Sequence, residues 1–244
     1  MAGKLGRLAP KVHPRTLKLS SFLKAVPAPR VFAWEYNLDD WTMMGNDTVG
    51  DCTCACIGHM IMEWTSRTYG TVTPTTEQVL TAYSAVTGYD PNTGANDNGA
   101  AITDVLAYCQ STGLAGHKIL AWAEIDVSNL TNVKQAIAMF GGIDIGFNVP
   151  QSAMTQFDAG EPWNDIGDTD IVGGHSVPVM GYGGLGDTCI TWGKRQPMNW
   201  AFWSRYVDEA YAIITQDWLM QAQTSPIFGL DLPALQPQLA ALKA

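Results

Sequence analysis

Cys52 stands where a Gly-Asp turn meets a long apolar segment. A thiol attacks an acyl carbon well only as the thiolate, and the thiolate is favoured at a helix N-terminus beside an imidazole. The turn-rich run GNDTVGD (45–51) ends just before the sulfur. A helix is predicted from about Cys52 to Thr68, so its first-turn amides would face Cys52. Asp51 is the expected N-cap, although its charge partly opposes a thiolate. Cys54 falls on an apolar stripe with Ile57, Ile61 and Trp64, and Cys56 lies one turn further into the helix. Only Cys52 has the address of a nucleophile.

Such a thiol needs a base, and the chain has four histidines. His59 sits seven residues along the same helix, roughly 10 Å up the axis, beyond hydrogen-bond reach of Cys52. His13 lies in a proline-broken N-terminal stretch and His117 precedes a strand. His175, in GGHSVPVMGYGG, opens an apolar strand that would present it at a cleft. By elimination and context it is the partner. Cys52, Cys56, His59 and Glu63 share a helix face, but they span about 16 Å of axis and cannot surround one ion. No metal or cofactor is expected. GYGGLG (181–186) has no following Lys on a helix, so it reads as a hairpin turn rather than a phosphate loop. Trp200, Phe202, Trp203 and Tyr206 read as a packed helix, and Trp192 as packing.

These residues resemble the papain family of cysteine peptidases. That family places an amide side chain six residues before its nucleophile, where Asn46 stands in place of the usual Gln. Gly50 matches a family glycine two before the Cys. GGHSVPVMGY (173–182) is similar to the family's histidine strand, and Thr191-Trp192-Gly193 falls where a Trp-Gly follows on the next strand. The resemblance covers about 41–215. It implies that Asn46 and the Cys52 amide would hold an oxyanion. The Cys-to-His separation is 123 residues, slightly short of the family's roughly 130–150. There are departures. Thr53 replaces the Trp after the nucleophile, and Val49 replaces a disulfide cysteine. Ile190 stands where the family has the Asn that orients the imidazole. Thr191 is the adjacent candidate, but on a regular strand it would face the other side unless a bulge re-aims it. Asp187, Asp170 and Asn199 stay open as substitutes. An arm of about 33 residues is also short for the family's inhibitory pro-segment.

The elements that would position these groups follow from periodicity. Helices are predicted near 52–68, 75–86 (capped by Thr75), 100–112 and 130–140. Apolar segments at 118–122, 143–148, 175–182, 188–192 and 210–215 read as strands. Helices first and strands later give an α+β fold: a helical lobe (about 45–140), then an antiparallel sheet or barrel lobe (about 141–216). The papain-like domain is placed at 34–220, with an extended arm at 1–33, holding one short helical possibility at 17–25, and a tail at 221–244.

Composition narrows the function. Apolar residues make up 46% and charged residues only 15% of the 244, which suits a compact core. Five cysteines, three of them bunched, make poor disulfide material and point to a reducing compartment. No apolar run is long enough to span a membrane, and no apolar stretch of a secretory signal follows the basic N-terminus. A cytoplasmic or virion-associated location is expected. The net charge is −9, but the first 30 residues hold seven of the 14 basic residues and none of the 23 acidic ones. The arm is thus +7 and the rest −16. An acidic body argues against nucleic acid as a partner. The arm alone could meet RNA, DNA, lipid or an acidic protein face, its own or a neighbour's. Two functions follow. One is a cysteine peptidase or amidase cutting peptide or isopeptide bonds through Cys52, His175, Asn46 and Thr191. The other is a weakly catalytic or structural protein of the same fold, conceivably a phage virion component, docked on a protein partner through residues 1–33.

Overall fold

The computed structural model describes residues 2–24, 26–68, 70–216 and 230–243. Helix α1 (Cys52–Ser66) begins at the expected cysteine. Helix α2 (Thr76–Thr87) starts in a capping box: Thr75 accepts from the Gln78 amide and the Gln78 side chain reaches back to the Thr75 amide. Helix α3 (Ile102–Ser111) packs against both. Their apolar faces form one core with Ile57, Ile61, Val79, Tyr83, Val105 and Leu106.

Strands β1 (Leu17–Lys18) to β8 (Val207–Thr215) form an eight-stranded sheet in the order β1-β3-β8-β4-β5-β6-β7, with β2 (Phe32–Ala33) pairing β5. The central strands are β3 (Ile119–Glu124), β4 (Ile143–Pro150), β5 (Ile171–Tyr182), β6 (Gly186–Thr191) and β7 (Lys194–Asn199). Among the described strands all pairs are antiparallel except β1 with β3. Helix α4 (Leu130–Phe140) covers the sheet. Helices α5 (Gln151–Ala159) and α6 (Trp200–Tyr206) close a second core around Phe147, Trp163 and Phe202. The α+β class read from the sequence is the observed one.

Three local expectations need correction. Helix α1 is more than an amphipathic element with one stripe: every residue from Cys52 to Thr65 is buried, His59 and Glu63 included. The sheet, two helices and the N-terminal segment wrap it, and a helix enclosed on all sides loses its polar face. The short helix expected within 17–25 is instead β1 and a single 3-10 turn at Leu19–Ser21. Edge pairing of Leu17 with Ala123 satisfies the backbone there, which outweighs weak local helix propensity. Helix α5 and strand β7 add to the predicted elements; β7 has no apolar alternation to announce it, because Pro197 and the charged Lys194 and Arg195 break it.

The C-terminal stretch is only partly described. Helix α7 (Leu232–Lys243) contains Pro237, and its Leu235 and Leu239 are buried against the sheet core. Residues 221–229 of the expected tail lie outside the described residues. No described helix is long and apolar enough to cross a membrane.

Candidate active site

Helix α1 packs on β5 more extensively than on any other element, and that contact brings Cys52 and His175 to the same place. Both line one small cavity with Asn46, Cys56, His59, Ser176, Ile190, Thr191 and Trp192. Cys52 opens α1 as expected, but Asp51 makes no side-chain cap hydrogen bond and both its oxygens are buried without a partner. Burial pushes the Asp51 carboxyl up to about 8, so it sits largely neutral beside the sulfur at neutral pH.

His175 is held on three sides. Its Nε2 lies 2.7 Å from the Thr191 hydroxyl. The Trp192 indole stacks on the ring at 4.7 Å between centroids, and Phe147 meets it edge-on at 5.8 Å. Nδ1 is buried and has no hydrogen-bond partner. Thr191 therefore touches the imidazole from the strand position next to Ile190. The pairing of β6 with β7 runs regularly through Ile190 and Thr191, while β5 slips by one residue against β6 between Val179 and Gly181. Such a slip changes which β6 side chains share a face with His175. The remaining candidates are engaged elsewhere: Asn199 caps α6, the Asp170 backbone bonds Gln151 and Asp168, and Asp187 is buried near Glu35. Trp192, read as packing, also carries a left-handed backbone with φ of 45° in the turn to β7. A bulky residue there is strained, and strain of this kind gathers where a side chain must be aimed.

His59 stays apart from the thiol chemistry expected of a base. Its Nε2 bonds the Thr42 carbonyl at 2.7 Å, and burial lowers the ring to about 4. Among the described residues no group of His, Cys, Asp or Glu could hold a metal ion.

The feature sequence reasoning missed is what covers the cavity. Residues 2–8 of the arm run across it. The Lys4 amide donates to the Asn46 carbonyl at 2.7 Å, and Asn46 Nδ2 donates to the Lys4 carbonyl at 3.1 Å. The amides of Gly6 and Arg7 both donate to the Gly174 carbonyl, at 3.1 and 3.0 Å. On the other rim the Ala100 amide donates to the Gly6 carbonyl at 2.8 Å and the Leu8 amide to the Ala100 carbonyl at 3.0 Å. Gly6 lies so close to Gly50 that a Cβ would collide with the Gly50 carbonyl, and a Cβ on Gly174 would strike the Arg7 carbonyl. Only glycine permits that approach. Further along, Lys4 pairs with Asp97, Lys11 with Asp104, and Arg15 with Gln110. The arm here meets the acidic face of its own body. The signal was present in the run of basic residues without an acid, but charge alone does not name the face.

Burial sets the electrostatics. Burial drives the Cys52 thiol up to about 12, although the backbones of Ser176 and Gly6 hydrogen-bond the sulfur and pull the other way. Burial alone lowers His175 to about 3. Buried in this way both groups are neutral, and the thiolate–imidazolium pair is not formed.

Solved structures share the fold. Xylellain, a cysteine protease from Xylella fastidiosa, superposes with a TM-score of 0.68 at 13% identity, covering 87% of this chain and 96% of that one. The chain has the papain-like fold. The ragweed pollen cysteine protease Amb a 11 in its proform follows at 0.58 and 15% identity, covering 79% of this chain and 67% of that one. Bromelain from Ananas comosus gives 0.55 and 11%, covering 77% and 100%. No protein-family model matches the sequence, and no curated protein does. The papain-like sheet here carries Ile190 and Thr191 in its β6–β7 corner, and an arm across the cleft.

Proposed function

We propose that this protein is a cysteine peptidase or amidase held closed by its own N-terminal arm. The observation that carries the reading is the convergence of Cys52, His175 and Asn46 on one cavity, with Thr191 on Nε2 and Nδ1 left without a partner. A Nε2–H donating to the Thr191 hydroxyl leaves Nδ1 as the basic nitrogen. Once the arm leaves, water returns, and the thiol falls and the imidazole rises toward their ordinary ranges. Nδ1 then takes the thiol proton, and Cys52 Sγ attacks the acyl carbon of a peptide or isopeptide. Asn46 Nδ2 and the Cys52 amide stabilise the oxyanion. His175 returns the proton to the leaving amine, and water hydrolyses the thioester. Asn46 Nδ2 already holds a peptide carbonyl, that of Lys4.

The test is alkylation of Cys52 in the full chain. With the arm loosened by Gly6→Ala, iodoacetamide is expected to label Cys52 faster than a free thiol at pH 7, and His175→Ala to slow it. Labelling no faster than a free thiol, and unchanged by His175→Ala, defeats the proposal.

A second reading is favoured by the neutral, covered pair. In it the fold serves as a structural component and the arm fastens it, to itself or to a protein partner. It predicts assembly that survives Cys52→Ala and is lost with Arg7→Ala.

A further inference from the structure

Among the described arm residues, Arg7 is the one whose charge is buried. Its side chain is 1% exposed and Nε donates to Glu209 Oε1 at 2.7 Å, with Glu209 itself 5% exposed. Nη2 bonds Asp208. The second Glu209 oxygen accepts from the Tyr211 hydroxyl at 2.9 Å, and Asn148 steadies the other Asp208 oxygen at 3.0 Å. Asp144, fully buried and bonded by Ser176 at 2.8 Å, adds to the same acidic field. Gly146 forms the near wall: a Cβ there would collide with Arg7 Nε and with Glu209. A planar fork with donors on Nε and Nη2 fits two neighbouring carboxylates in a way a point-charge ammonium does not.

The position of this socket matters as much as its chemistry. Gly6 and Arg7 hang from the carbonyl of Gly174, the residue before His175. Any extended peptide that uses the same Gly174 and Ala100 groups sends the next side chain into the socket. Removing the arm takes away the guanidinium that Glu209 and Asp208 share, which leaves a pair of acceptors open to a replacement cation.

We propose that the Glu209–Asp208 socket is an arginine-recognition site of the cleft, which the arm fills with Arg7 and which a peptide bearing arginine takes in trans. Glu209 is its specificity-determining residue. That such peptides are then cut rests on the cysteine-peptidase reading; that they bind does not.

The experiment uses a fluorescent peptide of sequence AGKLGRLAP and its analogue with citrulline for arginine, titrated by fluorescence anisotropy into full-length Arg7→Ala. The arginine peptide is expected to bind at least 10-fold tighter than the citrulline one, and Glu209→Gln in the same background to erase the difference. Equal binding of the two peptides, or a preference untouched by Glu209→Gln, overturns the proposal. Where Arg7→Ala shows no cooperative unfolding, wild-type protein answers the same question. Argininamide at millimolar concentration should speed amide hydrogen exchange at Gly6 and Leu8, and lysinamide should not; equal effects of the two overturn it. Arginine preference without Cys52 alkylation keeps the socket and removes the peptidase. Alkylation without arginine preference does the reverse.

Discussion

The hydroxyl of Thr191 lies 2.7 Å from Nε2 of His175. A neutral hydroxyl thus stands where a papain-like site is expected to hold an amide, and it fixes the ring without adding charge. Both residues are buried, so the bond is the whole of what Nε2 has.

Thr191→Val keeps the shape and removes the partner. A buried ring nitrogen left unpaired costs about 1–3 kcal/mol, which urea unfolding will show. The same change should slow Cys52 alkylation in the Gly6→Ala background, whereas Thr191→Ser should restore both. Normal stability in Thr191→Val would mean the contact carries no weight.

Gly6→Ala places a methyl against the Gly50 carbonyl and Gly174→Ala places one against the Arg7 carbonyl, two separate backbone contacts of the arm. Each should loosen the arm and raise iodoacetamide labelling of Cys52 at least 10-fold, a shift of roughly 1.4 kcal/mol in the covered-to-open ratio. Peptide mapping identifies the labelled cysteine among five. If neither variant changes the rate, the arm does not gate the thiol.

Arg7 and Glu209 should be energetically coupled. A double-mutant cycle on Arg7→Met and Glu209→Gln is expected to return about 0.5–3 kcal/mol of interaction, with the double variant more stable than either single one. Additive losses would contradict a buried pair.

Stability should fall as pH rises from 6.5 to 8. Burial raises Asp51 to about 8 and Asp144 to about 7. A carboxyl raised in the folded state binds a proton the unfolded chain has released, so its contribution is lost as pH climbs through the folded value. The buried His59 and His175, lowered to about 4 and 3, act oppositely, and their effect fades as the unfolded imidazoles lose their protons through about 6.5. About one pH unit above that they are silent, and the carboxyls set the slope. Thermal melting at pH 6.5 and 8 checks the slope, and Asp51→Asn should flatten it. A Tm that rises across this window contradicts the prediction.

Much of this was readable from local chemistry. The turn before Cys52, the cap at Thr75 and the glycines closing α4 are short-range signals, so those helices begin and end close to where periodicity put them. The strand of His175 is an apolar run bounded by glycines and was equally plain. Each of these depends on neighbours within a few residues, where the backbone's own hydrogen-bonding needs dictate the outcome.

What the chain order could not decide was which distant groups meet. A one-residue slip between β5 and β6 determines that Thr191 faces His175, and no propensity encodes a register across strands. The same holds for the arm. Seven basic residues announce a search for acids, but only folding brings Glu209 and Asp208, some two hundred positions away, beside Arg7. Charge acts through space and is unspecific in sequence, so the amino acids determined that the arm would dock, and the packed sheet determined that it would dock over the thiol.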